Sequence, residues 1–115
     1  MPDYRWIKIA EDFELPTLLK EGSVMTMEVD GKKICLAKTN DGYYAVGNRC
    51  PHAGGSLGDG WCEGLQVVCP VHRFKFDLRT GRNTGDEGYN VLTYPLKLEK
   101  DGLYIGFEQK KWWQW

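Results

Sequence analysis

Short runs of apolar and β-branched residues alternate with polar positions along most of the chain, and glycine-containing turns separate the runs. The first run, residues 6–10, predicts a strand. Its alternation places Ala10 on the same face as Trp6, with Ile9 on the opposite face. Helical periodicity is scarce, and only residues 11–20 are predicted to hold a short helical turn. The pattern therefore favours an all-β domain.

Three glycine-containing turns predict β-hairpins, because Asp-Gly readily adopts the positive φ angles of tight turns. The turns are Asp30-Gly31, between Val24–Val29 and 33–38; Asn40-Asp41-Gly42, before 43–46; and Lys100-Asp101-Gly102, between 92–98 and 103–107. Each flanking run has the length of an ordinary strand. We expect these segments to form a scaffold sheet or a small barrel.

The middle of the chain lacks this alternation. Residues 48–64 contain five glycines and are predicted to form a loop. A short strand at 65–68 leads into a second loop at 69–75, and another strand follows at 76–78. Two loops are thus expected to leave paired strands in this region.

Size and charge restrict the function. The chain has 115 residues, which fits one domain, and its 15 Lys and Arg residues are balanced by 16 Asp and Glu residues. This balance gives no general attraction to nucleic acid or to an anionic membrane. We find no apolar run of membrane-spanning length, and the first ten residues include the charged Asp3, Arg5 and Lys8, where a signal peptide would need its apolar stretch. The prediction is a cytoplasmic protein without a membrane span.

Both histidines of the chain lie within three residues of a cysteine. They form the pattern Cys50-Pro51-His52, then sixteen residues, then Cys69-Pro70-Val71-His72. Thiolate and imidazole are ligands that suit zinc and iron-sulfur centres. Each loop supplies one ligand of each kind, unlike common zinc fingers, and two mixed pairs suit two inequivalent metal ions. A metal site is predicted, with mononuclear zinc as the alternative.

The two segments resemble the cluster-binding boxes of Rieske ferredoxins. The resemblance is dense over residues 48–82, where Cys50-Pro51-His52-Ala53-Gly54-Gly55-Ser56-Leu57 is followed by Cys69-Pro70-Val71-His72, then Phe76 and Thr80-Gly81. It implies one Rieske-type 2Fe-2S cluster, with one iron bound by two thiolates and the other by two imidazoles. The implied ligands are Cys50, His52, Cys69 and His72.

The same resemblance implies a fold. We expect a layered antiparallel β architecture, a sandwich or partial barrel, that forms a single domain over residues 1–115. A small cluster-binding subdomain of two loops, at about residues 48–82, is expected to be inserted in this β scaffold.

Electron transfer is the function that the resemblance implies. With two thiolates and two neutral imidazoles the oxidised centre is neutral, so Rieske potentials run from roughly −150 to +300 mV. Gly55 and Val71 replace the bridging cysteines of respiratory Rieske proteins, Phe74 replaces a serine donor, and Phe76 cannot donate a hydrogen bond. A potential near the low end of the range is therefore expected, as in the ferredoxins of bacterial aromatic-ring dioxygenase systems.

The partners expected from the resemblance are redox proteins. Both histidines are assigned to the cluster, and no glycine-rich dinucleotide fingerprint is present in the sequence. The chain is thus predicted to carry electrons from a flavin-dependent reductase to a terminal oxygenase or another reductase, without being an enzyme itself. Two alternatives are a small Rieske subunit of a nitrite reductase and a zinc-stabilised binding module.

Three features remain outside this assignment. Cys35 and Cys62 are predicted to be buried or inert thiols. Basic residues near the loops could guide an acidic partner, although acidic residues are also nearby; they are Arg49, Arg73, Lys75, Arg79 and Arg82. The C-terminal segment 110–115 contains three tryptophans, and we expect it to pack over the domain's own sheet or against a partner.

Overall fold

The computed structural model describes residues 3–51, 54–71, 73–84 and 89–109. The strands of these residues are β1 (Asp3–Glu11), β2 (Val24–Val29), β3 (Lys32–Thr39), β4 (Gly42–Gly47), β5 (Trp61–Glu63), β6 (Gln66–Val68), β7 (Lys75–Asp77), β8 (Thr93–Tyr94), β9 (Leu96–Glu99) and β10 (Gly102–Gln109). The predicted helical turn is confirmed as a 3-10 helix, Asp12–Glu14, followed by the α-helical turn Leu15–Leu18. No helix in the described ranges is long and apolar enough to cross a membrane.

The strands form three antiparallel sheets: β1-β10-β9, β2-β3-β4-β8 and β5-β6-β7. The sheet β2-β3-β4-β8 lies between two apolar cores, as the burial of β3 shows. Its alternating residues are fully buried on both faces, with Ile34 and Leu36 in one core and Cys35 and Ala37 in the other. Both cores depend on this central strand, which accounts for its nearly continuous apolar sequence. The predicted all-β antiparallel fold is confirmed as a layered sandwich, and the described strands form no closed barrel.

The scaffold core lies between β1-β10-β9 and the central sheet. It contains Ile34, Leu36, Leu103, Ile105 and Phe107. The loop core lies on the other face of the central sheet, beneath the two loops that carry Cys50 and Cys69. Its other members include Cys35, Leu57, Val67 and Phe76. The cysteine loops are therefore fixed on a packed apolar layer.

A β-bulge makes one prediction wrong. The register between β1 and β10 shifts between Lys8 and Ala10, so that Ala10 pairs with Leu103. An extra residue in one strand reverses the alternation of the residues that follow it. Ala10 therefore turns away from the face of Trp6 and lies buried in the scaffold core, in the same cluster as Ile9.

Two further boundaries differ from the sequence prediction. Residues 92–98 form two strands in different sheets, because β8 pairs with β4 and β9 pairs with β10. Pro95 separates them, since it has no N–H for a sheet ladder, while its carbonyl accepts a hydrogen bond from the Gly106 N–H at 2.9 Å. The predicted loop at 48–64 also contains the 3-10 helix Leu57–Asp59 and strand β5. The three predicted hairpin turns are confirmed.

Candidate metal centre

Two tight loops carry the predicted cysteines. In the first loop, which follows β4, the Cys50 N–H donates to the Gly55 carbonyl at 2.8 Å and the Gly54 N–H donates back to the Cys50 carbonyl at 2.8 Å. In the second loop, which follows β6, the Cys69 N–H donates to the Phe74 carbonyl at 2.8 Å. Each cysteine is thus fixed at the base of a short hydrogen-bonded turn.

The thiols of Cys50 and Cys69 meet between the loops. Both residues are fully buried and free of a disulfide, and the Cys50 thiol lies near enough to the Cys69 thiol to affect its pKa. Burial raises the pKa of the Cys69 thiol, the Val71 N–H lowers it, and the neighbouring Cys50 thiol raises it again. Two facing thiols, separated by nineteen positions in the chain, would supply the sulfur half of the predicted mixed ligand set.

Gly55 lies at the contact between the loops. A Cβ atom at this position would lie 2.8 Å from Val71 Cγ2 and 3.2 Å from Cys69 Sγ. The absence of a side chain therefore leaves space beside the sulfur atoms. This cradle, together with two solvent-shielded thiols, fits a thiolate-bound metal cluster.

Asn48 supports the first loop and was not identified from the sequence. Its side chain is 7% exposed; the Oδ1 atom accepts hydrogen bonds from the Gly58 N–H at 2.8 Å and from the Thr26 hydroxyl at 3.2 Å. Its Nδ2 atom donates to Ser56 Oγ at 2.8 Å. The sequence did contain a signal for this role, because Asn48 lies between a strand and a glycine-rich loop, where a side-chain amide can hydrogen-bond to the loop backbone.

The structure brings together two of the four predicted ligands. His52 and His72 lie outside the described residues, and so does the tryptophan-rich segment 110–115. Within the described ranges, no group of three or more His, Cys, Asp or Glu residues is arranged to hold a metal ion. The assignment of all four residues as ligands therefore stays a prediction.

The other two cysteines lie close to each other, away from the loop tips. Cys35 is fully buried, and Cys62 is partly buried with its thiol 3.8 Å from the Ser23 carbonyl oxygen. Burial raises the pKa of the Cys35 thiol to about 12, and the nearby Cys62 thiol contributes to the shift. A thiol with a raised pKa is a poor nucleophile at neutral pH, as expected for an inert packing residue.

Residues 5–95 match the family model of the Rieske 2Fe-2S domain. The chain belongs to the Rieske family. A ferredoxin component of a naphthalene 1,2-dioxygenase system, from Pseudomonas aeruginosa, is 35% identical over 102 residues, which cover 88% of this chain and 94% of the relative. Identity and coverage at this level extend over both the scaffold and the loops.

Solved Rieske structures share the fold. The ferredoxin of carbazole 1,9a-dioxygenase from Nocardioides aromaticivorans IC177 has a TM-score of 0.76 and 27% identity, and the match covers 87% of this chain and 95% of the ferredoxin. A Mycobacterium tuberculosis protein described as an NADH-dependent nitrite reductase small subunit has a TM-score of 0.79 at 22% identity, covering 91% of this chain and 96% of that protein. The second likeness concerns the fold alone.

The family assignment confirms the cofactor and the general function. This Rieske protein carries one 2Fe-2S cluster and transfers electrons as a ferredoxin, without being a catalytic enzyme. The facing thiols of Cys50 and Cys69 agree with this cofactor, since Rieske clusters bind one iron through cysteine sulfur.

Proposed function

We propose that Cys50, His52, Cys69 and His72 hold the Rieske cluster and that this chain is a low-potential, one-electron carrier between two proteins. The observation that carries the proposal is the meeting of the buried Cys50 and Cys69 thiols between two separate loops. Each cysteine is followed within three residues by a histidine, so the same loops supply both kinds of ligand. We also propose that residues 1–115 form one domain, with residues 48–82 as its cluster-binding subdomain.

The bound cluster supplies reversible one-electron reduction and oxidation. The protein supplies the environment. Leu57, Val67 and Phe76 are fully buried in the loop core and exclude water from the inner side of the thiol pair. Val71, at 39% exposure, covers the outer side at the contact with Gly55.

A low reduction potential follows from the donors that surround the sulfur atoms. Hydrogen bonds to cluster sulfur raise the potential, because they stabilise the added negative charge. Phe76 contributes an apolar ring to the loop core, and Phe74 packs against the same core. Neither ring has a hydroxyl group to donate. We expect a midpoint potential near the bottom of the range of roughly −150 to +300 mV.

The proposed acceptor is a terminal oxygenase, and the proposed donor is a flavin-dependent reductase. The support comes from relatives that are ferredoxin components of dioxygenase systems and are matched over most of their length. A cytoplasmic location is part of the proposal, since free thiols such as Cys35 and Cys62 persist in a reducing compartment. Cell fractionation with an antibody against the chain tests the location, and recovery in the membrane or periplasmic fraction contradicts it.

Absorption and EPR spectra of anaerobically purified protein test the electron-carrier role. Dithionite should bleach the visible absorption and produce the anisotropic EPR signal of a reduced Rieske cluster. An EPR-monitored redox titration should then place the midpoint below zero. A colourless protein that contains zinc would support the zinc-stabilised module instead.

Paired cysteine substitutions test the ligand assignment. Cys50→Ser and Cys69→Ser should each lose iron and sulfide, because a serine hydroxyl does not replace the thiolate effectively. Cys35→Ser and Cys62→Ser are matched controls that should retain the cluster. His52→Ala and His72→Ala should also lose the Rieske spectrum. Retention of a wild-type spectrum in any of the four ligand variants contradicts the assignment of that residue.

A subunit role in a nitrite reductase predicts a different behaviour. Such a subunit would co-purify stably with a large reductase subunit, whereas a ferredoxin associates transiently with its partners. Affinity purification from the native host, followed by size-exclusion chromatography, separates the two possibilities. A stable large complex would contradict the free-carrier proposal.

A further inference from the structure

Arg49 lies over the first cysteine loop. It is exposed and immediately precedes Cys50, and its Nη2 atom lies 3.9 Å from the position of a Cβ on Gly54. Arg49 forms no salt bridge with any other residue in the described ranges. Its guanidinium therefore presents a positive charge beside the loop that no described carboxylate pairs with.

Arg73 lies in the second cysteine loop. Its φ angle is +59°, a left-handed conformation that is uncommon for a residue with a side chain. The side chain is exposed. Hydrogen bonds from Lys75 and Trp61 lower the pKa of Glu63, and the nearby charge of Arg73 makes a smaller contribution in the same direction. However, Lys75 already binds that carboxylate at 2.8 Å, so two cations share one anion.

Two of the other three basic residues near the loops are paired, and the third, Arg82, is exposed in the segment that follows β7. Lys75 pairs with Glu63, and Arg79 pairs with Asp77 at 3.2 Å. Asp59 is exposed in the 3-10 helix Leu57–Asp59, which packs beside β2. Residues 85–88 lie outside the described part of the chain.

An apolar residue lies at the contact between the two loops. Val71 is 39% exposed, and its Cγ2 atom contacts the position of Gly55, which joins the second loop to the first. Among the described residues of the two loops, one partly exposed valine and one exposed arginine from each loop are thus available at the surface. We name Arg49, Val71 and Arg73 the loop-tip patch.

We propose that the loop-tip patch docks an acidic surface of the protein that exchanges electrons with this ferredoxin. This inference rests on the proposed function, because the patch surrounds the proposed cluster site. The net charge of the chain is −1, so attraction to an acidic partner has to come from a local patch. Docking there places the partner beside the thiol pair, and complementary charge increases the association rate.

Anion binding tests the patch without any electron transfer. Hexacyanocobaltate(III), a redox-inert trianion, is titrated into the oxidised holoprotein by isothermal titration calorimetry at low ionic strength. We expect saturable binding that weakens at least about three-fold in Arg49→Gln and in Arg73→Gln. Lys100→Gln is the matched control, since it removes an exposed positive charge in the β9–β10 turn, and it should bind as the wild type does. Equal binding by all four proteins, or no binding at all, contradicts the patch.

Electron transfer to two acceptor proteins tests docking. Reduced holoprotein gives one electron to the haem iron of cytochrome b5, which presents an acidic face, or of cytochrome c, which presents a basic face. The rate with cytochrome b5 should fall with added salt and should fall about three-fold or more in Arg49→Gln and Arg73→Gln. Arg49→Lys and Arg73→Lys should recover most of the rate, because they retain the charge. A faster salt-sensitive reaction with cytochrome c overturns the proposal.

The two experiments separate this inference from the proposed function. EPR spectra and midpoint potentials of every variant verify that the cluster is retained. A reducible cluster whose rate with cytochrome b5 is insensitive to salt and to both arginines contradicts the docking surface and leaves the ferredoxin role intact. A chain without a reducible cluster contradicts the proposed function, while anion titration still measures the patch.

Discussion

The contact between the two cysteine loops depends on Gly55. The sequence shows a glycine-rich loop here, but it does not show that a side chain at this position would clash with the second loop. The position has no positive φ, so its requirement for glycine is steric. On one side lies the side chain of Val71 and on the other the sulfur of Cys69. Nearby, Asn48 satisfies the Gly58 N–H and orients Ser56. Gly55 thus leaves space for the second loop, and Asn48 holds the first loop in its position.

Gly55→Ala should reduce cluster content. The added methyl group would lie 2.8 Å from Val71 Cγ2 and 3.2 Å from Cys69 Sγ, so the second loop has to move. Iron and sulfide per chain, with the visible circular dichroism spectrum, measure the effect. Gly47→Ala is the matched control, since a Cβ there meets no atom within 4 Å. Gly55→Ala/Val71→Ala should recover part of the cluster content, and full content in Gly55→Ala alone contradicts the steric argument.

Asn48→Ala should destabilise the protein by about 1–3 kcal/mol, because it leaves the partly buried Gly58 N–H without its acceptor. Chemical denaturation of the oxidised protein measures the free energy of unfolding. Asn40→Ala, in an exposed turn, is the control and should change it by no more than about 0.5 kcal/mol. Equal stability of the two variants would show that Asn48 does not support the loop.

At the level of elements, a small network of ion pairs and one hydrogen bond connects the β9–β10 hairpin to β1. Lys8 Nζ lies 3.0 Å from Asp101 Oδ2 and 3.1 Å from Glu11 Oε2. The Tyr104 hydroxyl donates to Asp101 at 2.7 Å. The Tyr104 hydroxyl, followed by the Lys8 ammonium, lowers the pKa of Asp101, while the two carboxylates raise the pKa of Lys8.

The signs of these shifts define a pH window. Because the pKa of Asp101 is lower in the folded state, its contribution to stability is present above the unfolded carboxyl pKa of about 4 and is lost as the pH falls. Because the pKa of Lys8 is higher in the folded state, its contribution is present below about pH 10 and is lost as the pH rises through the folded value.

Asp101→Asn should therefore lower the melting temperature at pH 7 and have a smaller effect as the pH approaches 3. The difference between wild type and variant is measured at each pH, with visible absorbance recorded in parallel to detect acid loss of the cluster. Glu28→Gln is the control, because Glu28 forms no salt bridge with the described residues. A pH-independent difference for Asp101→Asn would contradict the network.

Across the whole molecule, the central sheet separates two cores with different roles. The scaffold core holds β1-β10-β9 against the central sheet, and Ile105 is fully buried in it. The loop core supports the thiol pair, and Phe76 is its largest fully buried side chain. Stability and cluster retention are therefore expected to respond to different substitutions.

Ile105→Ala and Phe76→Ala should separate these two responses. Each should cost about 2–5 kcal/mol of stability, because each removes a large part of a buried side chain. Ile105→Ala should preserve the Rieske EPR line shape in the folded protein, whereas Phe76→Ala should broaden it and accelerate cluster loss. If Ile105→Ala does not fold, Ile105→Val tests the scaffold core instead, and it is expected to cost about 0.5–1.5 kcal/mol. Identical EPR spectra for Ile105→Ala and Phe76→Ala would contradict the different roles of the two cores.

The sequence by itself determined features that depend on neighbouring residues. The turns at Asp30-Gly31 and Lys100-Asp101-Gly102 were predictable because their φ preferences are local. The cysteine and histidine spacing predicted a metal site for a similar reason, since each pair lies within one short loop. The Rieske family match confirms the cofactor that the resemblance of these two segments implied.

Only the tertiary structure decided features that depend on distant partners. The bulge that buries Ala10 is set by its register with Leu103, and the change of sheet at Pro95 is set by the strands on either side. The meeting of the Cys50 and Cys69 thiols depends on packing between two loops. Hydrophobic alternation specifies a strand and its faces, but the pairing of remote segments is chosen by the packing of the entire core.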